Sequence, residues 1–543
     1  MKRQEAPVQA VSIQPSQYWD GIDGPWSSFP LQLGSGSVGG QQVVRVMPST
    51  AGNAIWAIAP QGCPSSYGSG CASSRGGLFL TNESLTWTPN SIYQTGIEAN
   101  LDQEASGFAG FDHASLGWSG SPTVSNSHAI IFDIADSNYW LGVFGLNPTP
   151  TNFTTFSDPQ TSFMTYLLDT HAIPSLTYGY TAGNQYRGEA GVFGSLTLGG
   201  YDANRFFHNE VTFDFFADIS RDLLVNLQTI TATETSPTNL LPGGPIAIYI
   251  DSTVPEIWLP PTACAAFEAA FNITWNTTLN HYPITADQRQ HLLNLNPKVT
   301  FTMSPDVYGG ARNVSIELPY AAFDLQLSFP IVDTATYYFP LMQAANETQY
   351  TLGRTFLQEA YIVVDYQRQN FSLGQCRWAQ EMVQTPNIVT ISPPSSASAS
   401  ASALSGGGFE PHLSTAFIVG VAVGGAAVLA AVALGVFLMV QRKRRKAEQQ
   451  RLAAEKSAAV ERTSPHRPLI SWPMGGELGG TGVHEIAQPL RPAQAEMDGP
   501  YKTDPRQHGY SELGGHGYYK AYYQVQEMDG TTPIYEMPSE VGR

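Results

Sequence analysis

The sequence is poor in charge, and above all in positive charge. Charged residues make up 13% of the 543 residues, about half of the roughly 25% that is typical of soluble globular domains. Residues 1–440 contain 13 Lys and Arg residues against 32 Asp and Glu residues. Because contacts to phosphate need a basic face, this acidic part of the chain is not expected to bind nucleic acid.

Several motifs of catalytic and cofactor chemistry are also missing. The 11 His residues show no spacing typical of metal ligands, and there is no Gly-x-Ser-x-Gly, His-Glu-x-x-His or phosphate-binding loop. Neither a metal nor an organic cofactor is therefore expected. The N-terminal segment 1–16 lacks the apolar stretch of a signal peptide, so we expect a leader to be encoded upstream of this start.

One long apolar run divides the chain. Residues 416–440 are 25 consecutive residues without a charge, and as a helix they would measure about 37 Å, enough to cross a hydrocarbon core of about 30 Å. The basic run 442–446 follows directly, and positive charge beside a span stays in the cytoplasm. The sequence therefore predicts a type I membrane protein with residues 1–415 outside or luminal. The plasma membrane is favoured over the vacuole.

Glycosylation signals and cysteines lie only on the predicted luminal side. The Asn-x-Ser/Thr signals are at Asn82, Asn152, Asn272, Asn276, Asn313, Asn346 and Asn370. Such signals are typical of a glycosylated ectodomain. The four cysteines allow three pairings in an oxidising compartment. Of these we favour Cys63–Cys71, which closes a short loop, together with Cys264–Cys376.

The segments on either side of the predicted span have compositions that do not build a core. Residues 379–415 are rich in Ser, Ala, Pro and Gly and are expected to form an O-glycosylated stalk. Residues 441–543 are rich in Gly, Pro and Tyr and are expected to form a disordered cytoplasmic tail. Tyr510 and Tyr522 each begin a Tyr-x-x-apolar pattern, which indicates cytoplasmic trafficking proteins as partners.

The luminal body has the pattern of an all-β protein. Short runs of β-branched and aromatic residues recur there, bounded by Gly, Pro and Asn, and several alternate with period two. Few longer helices are expected, and residues 260–271 and 284–294 are the best candidates.

Within this pattern, five segments resemble the pepsin-like aspartic peptidase family. Segments 43–56 and 245–259 resemble the family's two active-site strands, and segments 141–146 and 350–357 resemble its two apolar-apolar-Gly segments behind the active-site loops. Segment 194–202 resembles the boundary between the lobes. Cys63 and Cys71 lie where the family has its small first disulfide loop. The resemblance implies a bilobal β fold, with an N-terminal lobe at 17–200 and a C-terminal lobe at 201–378, and it is closest to membrane-anchored fungal members.

The catalytic residues depart from the family's pattern. A pepsin-type site needs two carboxylates that share one proton, so that one acts as base and the other as acid on a bound water. The resemblance assigns one carboxylate to Asp251, followed by Ser252, with Thr253 at the Gly position. The other position holds Ser49, followed by Thr50 and Ala51. A Ser hydroxyl has no acid–base pKa in the useful range, so Asp251 is expected to lack its ionised partner.

The family's flap, a hairpin that covers the active site, is also changed. Its tip is expected near residues 100–104, without the family's Tyr and Gly-rich sequence. With a shifted alignment, Tyr93 or Asp102 would occupy a functional place instead.

These features predict a membrane glycoprotein whose peptidase-like ectodomain is catalytically incomplete. Asp251 would then either hydrogen-bond across to Ser49 and Thr50 or anchor a peptide or wall-polymer ligand in the cleft without cleaving it. The alternatives are an active membrane-anchored aspartic endopeptidase with an unusual site, and a cell-wall sensor that depends on the stalk rather than the cleft.

Overall fold

The computed structural model describes residues 7–394 apart from 36–40, 104, 122, 154–156 and 220. The predicted span, the cytoplasmic tail with Tyr510 and Tyr522, and most of the predicted stalk lie outside the described residues. Within residues 7–394, less those gaps, no helix combines the length and the apolar character needed to span a membrane.

Strands form most of the regular structure. In chain order they are β1 (Val11–Ile13), β2 (Trp19–Asp20), β3 (Trp26–Ser27), β4 (Phe29–Leu33), β5 (Gln42–Ser49), β6 (Ile55–Ile58), β7 (Thr88–Gln94), β8 (Ser106–Leu116), β9 (Val124–Ile134), β10 (Gly142–Gly145), β11 (Thr177–Asn184), β12 (Val192–Leu198), β13 (Gly200–Asp202), β14 (Phe213–Asp214), β15 (Leu224–Ala232), β16 (Ile246–Ile250), β17 (Ile257–Leu259), β18 (Tyr282–Pro283), β19 (Lys298–Ser304), β20 (Val314–Pro319), β21 (Leu325–Leu327), β22 (Thr336–Phe339), β23 (Leu341–Gln343), β24 (Thr351–Leu352), β25 (Ala360–Asp365), β26 (Asn370–Gln375) and β27 (Ile388–Thr390).

Short helices connect some of these strands. They are α1 (Cys71–Ser74), α2 (Phe163–Asp169), α3 (Pro261–Phe271), α4 (Ala286–Leu295), α5 (Arg354–Leu357) and α6 (Gln380–Val383). The two helices expected from the sequence are confirmed as α3 and α4. The start of α4 is set by a capping box, in which the Thr285 side chain accepts from the Gln288 backbone and the Gln288 side chain accepts from the Thr285 backbone.

The N-terminal lobe is built on a seven-stranded sheet. Its strand order is β4-β5-β10-β6-β9-β8-β7, and a further pairing of β4 with β8 curls the sheet back on itself. Inward-facing apolar residues from these strands form much of its core, including Val46, Ile55, Ile131 and Phe144. The strands β6 and β10 are buried along their whole length, so they appear in the sequence as continuous apolar runs rather than as an alternation.

The C-terminal lobe repeats this arrangement in a second seven-stranded sheet. Its order is β20-β19-β15-β16-β24-β17-β23. The β19–β20 pair shows the period of two clearly, since Val299 and Phe301 are buried on one strand and Ile316 and Leu318 on the other. Glu317, between the last two, faces outward and pairs with Lys298 at 2.7 Å.

A third sheet joins the two lobes. Its order is β1-β12-β11-β25-β26-β14, so strands from the N-terminal and C-terminal parts of the chain pair directly. In addition, β27 pairs with β13. Since β27 lies within the predicted stalk, the folded body extends past the boundary at 378 that the composition indicated.

One predicted disulfide is confirmed and the other is wrong. Cys63 and Cys71 are bonded, but Cys264 and Cys376 are free and buried. The Cys264 thiol lies 3.5 Å from the carbonyl oxygens of Leu259 and Met342, whereas the Cys376 thiol lies 3.3 Å from the Thr181 hydroxyl. The two thiols therefore belong to different packing environments, and burial raises the pKa of Cys264 to about 12.

Candidate functional site

Two turns meet at the centre of the cleft, one from each lobe. The first follows β5, which runs parallel to β10, and the second follows β16, which runs parallel to β24. A glycine ends β10 and another directly follows β24, because at both points a neighbouring backbone approaches too closely for a side chain. A Cβ at Gly145 would lie 2.6 Å from the Gly52 backbone, and one at Gly353 would lie 2.3 Å from the Glu256 carbonyl oxygen.

The turns are tied together by a reciprocal pair of hydrogen bonds. The Thr50 backbone N–H donates to the Ser252 hydroxyl at 2.9 Å, and the Ser252 backbone N–H donates to the Thr50 hydroxyl at 3.0 Å. The Ser252 hydroxyl also donates to the Pro48 carbonyl oxygen at 2.7 Å. The structure thus brings together the two hydroxyl residues that the sequence singled out, and they hold one lobe against the other.

Ser49, predicted to stand in the first carboxylate position, has a fully buried hydroxyl. Its oxygen lies 2.6 Å from the Thr253 hydroxyl and accepts a hydrogen bond from the Gly52 backbone N–H at 2.7 Å. It has no exposed surface. The expected hydrogen bond from Asp251 across to Ser49 and Thr50 is wrong, because the hydroxyl of Thr253, a residue in the family's Gly position, takes the place beside Ser49.

Asp251 occupies the second carboxylate position and is 0% exposed. Its Oδ1 accepts a hydrogen bond from the Thr253 backbone N–H at 2.8 Å. Its Oδ2 is buried, and no donor for it is found among the described residues. A buried carboxylate oxygen without a donor is costly, so the group that faces this atom matters.

That group is the carboxyl of Glu98, which the sequence did not single out. The hairpin of β7 and β8 with its connection, residues 88–116, is here called the flap, and Glu98 lies in the connection. Glu98 is only 6% exposed, and its Oε1, like Asp251 Oδ2, has no donor within the described part of the chain. Asp251 is the neighbouring carboxyl that acts most strongly on Glu98. Two carboxyl oxygens can bond to each other only through a proton, so a hydrogen bond within this pair requires that one of the two is protonated.

The surroundings of Glu98 favour its protonated form. Burial, and then the neighbouring Asp251 carboxyl, raise the pKa of Glu98 well above its usual range. The Thr253 hydroxyl and the Arg354 guanidinium act in the opposite direction and do not outweigh them. The protonated form of Glu98 is thus favoured, and Asp251 has a neighbouring carboxyl on the flap rather than in the first turn. That Asp251 lacks an ionised partner stays a prediction.

The backbone of the flap is bent to deliver Glu98. Glu98 has a φ of 60° and Asp102 a φ of 58°, both in the left-handed region that side chains other than Gly rarely adopt. Between them, Ala99–Leu101 forms a single 3-10 turn. Such conformations persist only where the surroundings hold them, and here the contacts of the flap with both lobes do so.

The flap is closed onto the C-terminal lobe. The Asn100 side chain donates to the Thr348 carbonyl oxygen at 2.8 Å, and the Gln349 side chain donates to the Asn100 carbonyl oxygen at 2.7 Å. Leu101 is buried in a small cluster with Val254, Trp258 and Met342. These contacts close the cleft directly above Asp251.

The N-terminal lobe holds the other side of the flap through Tyr139. The Tyr139 hydroxyl donates to the Gln103 carbonyl oxygen at 2.7 Å, and its ring packs edge-on against Trp56 with centroids 4.7 Å apart. Burial, followed by the nearby charges of Glu98 and Asp251, raises the pKa of Tyr139. The tyrosine that steadies the flap therefore comes from outside it.

Comparison with known protein families agrees with this architecture. The family model of the eukaryotic aspartyl proteases matches residues 53–376. The chain belongs to the eukaryotic aspartyl protease family. No curated protein matches the chain closely enough to serve as a relative. The matched region includes Asp251 and begins just after the first turn, which contains Ser49.

A buried arginine is a further departure that the sequence did not bring to notice. Arg354 follows Gly353, and its Nη1 donates to the carbonyl oxygens of Ser252 and Thr253 at 3.0 and 2.6 Å. Its Nη2 lies 3.6 Å from Asp23. The guanidinium therefore stiffens the second turn from behind and offsets part of the negative charge around Asp251. Its signal in the sequence was a charge directly after the apolar-apolar-Gly segment.

The alternative flap residues lie elsewhere. The Tyr93 hydroxyl donates to the Asn90 side chain at 3.1 Å, and its ring packs against Phe153. Asp102 is exposed. Neither contacts Asp251, while the expected tip at 100–104 is close to the observed turn. Glu98 stands just before that tip, but Asp102 lies in the same segment, so the sequence alone did not distinguish Glu98 as the carboxyl near Asp251.

A groove of about 640 Å³ remains open beside the closed flap. It is lined from both lobes, by residues that include Tyr67, Asp102, Glu256, Trp258 and His281. His281 Nε2 lies 3.7 Å from Glu256. Burial opposes the charge on His281, but the hydrogen bond with Glu256 prevails and raises its pKa above the usual value.

The remaining predicted sites can be located on the surface. Of the glycosylation signals, Asn370 is half-buried and the others are exposed: Asn82, Asn152, Asn272, Asn276, Asn313 and Asn346. Glycosylation of these residues remains a prediction. In the part of the chain that the structure describes, no cluster of three or more His, Cys, Asp or Glu side chains has the arrangement of a metal site.

Proposed function

We propose that this protein is a membrane-anchored glycoprotein whose aspartyl-protease domain binds a peptide or cell-surface ligand and does not cleave it. The observation that carries the proposal is the state of the two turns. Ser49 is a hydroxyl held by Thr253 and Gly52, and Asp251 is covered by Glu98. A water between two carboxylates of the turns, which the pepsin mechanism requires, has no place in this arrangement.

The ligand would lie in the groove beside the flap. Aromatic rings of Tyr67 and Trp258 and the carboxylates of Asp102 and Glu256 line it, a mixture that suits peptide or saccharide ligands. The anchor is the predicted span 416–440, with the glycosylation signals on the same side of it as the domain. The exposure of most of those asparagines supports this topology.

A second function is favoured by one specific observation. Glu98 gives Asp251 the carboxyl partner that Ser49 does not, so an aspartic endopeptidase with one carboxyl on the flap is the alternative. In such an enzyme the flap would have to open to admit the substrate. It would then have to close again so that Glu98 reaches the peptide bond to be cleaved.

Hydrolysis of a denatured protein distinguishes the two. The glycosylated full-length protein is assayed from about pH 3 to pH 6, the range in which carboxyl pairs of this kind titrate, with and without a transition-state-analogue inhibitor. We expect no inhibitor-sensitive turnover. Turnover that is lost in both Asp251→Ala and Glu98→Gln, but kept in the control Asp169→Asn, which changes an exposed residue of α2 outside the groove lining, would establish the endopeptidase instead.

A further inference from the structure

The flap has a different kind of contact with each part of the cleft. Its contacts with the C-terminal lobe through Asn100 and Leu101 are neutral hydrogen bonds and apolar packing. Its contact with the centre of the site is the carboxyl pair Glu98–Asp251. Only the second of these depends on a proton.

We propose that Glu98 and Asp251 form a proton-dependent latch that keeps the flap closed over the cleft in acid and releases it as the shared proton is lost. The inference rests on the proposed function, because the site that the latch controls is the cleft proposed to bind the ligand. Closure in acid and opening nearer neutral pH would then decide when that ligand can enter.

The geometry requires a proton for closure. Glu98 Oε1 and Asp251 Oδ2 are both buried, and among the described residues neither has another donor. With one proton the pair has a hydrogen bond. Without it, two carboxylates face each other in a site from which water is excluded, where like charges repel strongly.

The other charged and titratable groups around Glu98 do not replace the proton. Arg354 is the nearby cation: its Nη1 donates to the Ser252 and Thr253 carbonyl oxygens, and its Nε has no partner among the described residues. Its charge lowers the pKa of Glu98, but burial and the Asp251 carboxyl outweigh it. Tyr139 and Tyr249 also face the pair, and burial raises the pKa of both hydroxyls, so they stay neutral. When Glu98 ionises, opening of the flap into water is the available way to relieve the repulsion.

The direction of the pH dependence follows from the raised pKa of Glu98. The closed flap binds the proton more tightly than the open flap, in which Glu98 has its ordinary pKa of about 4.3. Closure is therefore fully stabilised below that ordinary pKa. The stabilisation is lost as the pH rises through the raised pKa of the closed state.

The strained backbone adds to the tendency to open. Glu98 and Asp102 both lie in the left-handed region, and residues held there cost of order 1–3 kcal/mol each. Once the carboxyl pair no longer holds Glu98, the turn can relax. The amides that report this are those of Leu101 and Gln103, which both donate to the Glu98 carbonyl oxygen, at 2.9 and 3.1 Å.

Hydrogen exchange of these two amides tests the latch. It is measured on the full-length protein at about pH 5 and about pH 8, and each rate is divided by the intrinsic rate at that pH. In the wild type we expect the corrected exchange to rise at least about tenfold, since each unit of pKa shift changes the equilibrium tenfold. In Glu98→Gln, which has the same shape and donates without a titrating proton, we expect little change.

Asp102→Asn is the matched control, because it removes an exposed carboxyl from the same turn. It should keep the wild-type rise. Corrected exchange that is independent of pH in the wild type, or an equal rise in Glu98→Gln, would overturn the latch.

The outcome can be separated from that of the proposed function. If the protein cleaves peptides but its flap exchange still depends on Glu98 and pH, the non-proteolytic function fails and the latch stands. If it is inert and the exchange is flat with pH, the latch fails and the non-proteolytic function stands.

Discussion

The first active-site turn holds its serine with the backbone N–H of Gly52, and the second holds its aspartate with the backbone N–H of Thr253. Both turns follow a strand that runs parallel to a crossing strand, and both crossing strands carry a glycine at the contact. The chemistry at the two tips is nevertheless different, since one presents a hydroxyl and the other a carboxyl.

The difference shows that the turns have two separable tasks. Holding the lobes together depends on Thr50 and Ser252, and this reciprocal bonding is intact. Acid–base chemistry depends on the residue before each of them. These two residues differ, since Ser49 has a hydroxyl and Asp251 has a carboxyl. The second carboxyl of the site comes instead from Glu98 on the flap, where it closes the cleft rather than flanking a water.

The largest effect is expected when the residue that follows Gly353, after β24, is made like the residue that follows Gly145, at the end of β10. Arg354 follows Gly353 as Leu146 follows Gly145. In Arg354→Leu the Ser252 and Thr253 carbonyl oxygens lose their donor and nearby buried carboxyls lose their cation. We expect the free energy of unfolding to fall by about 3–5 kcal/mol, as when one partner of a buried ionic contact is removed.

Urea unfolding of the full-length protein measures this change. The control is Arg312→Leu, which removes an exposed arginine paired with exposed Asp306, and its effect should stay within about 0.5 kcal/mol. Equal losses in the two variants would show that Arg354 does not stabilise the second turn.

The next largest effect is expected from making the first turn like the second. Ser49→Asp places a carboxyl in a position with no exposed surface, so its pKa in the folded state should be raised. The variant should be less stable than the wild type by about 1–3 kcal/mol near pH 7, with most of this recovered near pH 4, because each unit of pKa shift corresponds to about 1.4 kcal/mol.

Thermal unfolding at the two pH values checks the assignment. Ser49→Asn has the same shape as the aspartate without its charge, so its stability relative to the wild type should not depend on pH. A pH dependence in the asparagine variant as well would mean that the turn responds to size and not to charge.

A smaller effect is expected from removing one of the bonds that the turns share. Thr50→Val leaves the buried Ser252 N–H without its acceptor and should reduce the free energy of unfolding by about 1–2 kcal/mol. Thr50→Ser keeps the hydroxyl and should lose less than half of that. The comparison is made by urea unfolding, and similar losses in both variants would assign the effect to the lost methyl group.

The smallest effect concerns the cysteines, which form the Cys63–Cys71 disulfide in the N-terminal lobe and are free thiols in the C-terminal lobe. The folded protein should show no thiol that reacts quickly with a disulfide reagent, because Cys264 and Cys376 are buried and burial raises the pKa of both thiols. After unfolding without reductant, two thiols per chain should react. If no thiol reacted after unfolding, Cys264 and Cys376 would be disulfide-bonded, as the sequence had predicted.

Features that depend on local sequence were the ones that could be predicted. The helices at 261–271 and 286–295 lie where the sequence predicted helices, and the short spacing of Cys63 and Cys71 indicated their disulfide. The two turns lie where the family resemblance placed them. The Cys264–Cys376 pairing failed because a long-range disulfide depends on how two distant segments pack. The boundary at 378 failed because a polar composition does not exclude a strand that pairs at an edge, as β27 does with β13.

The sequence by itself determined the family resemblance and predicted that Asp251 is retained and that Ser49 replaces the other aspartate, because these are properties of residues within one strand and its turn. The tertiary structure alone decided that Asp251 has a carboxyl partner. Glu98 reaches it only because Tyr139 holds one side of the flap and the Thr348 and Gln349 contacts hold the other. The approach of two carboxyls from different lobes is a consequence of that packing, and no local pattern records it.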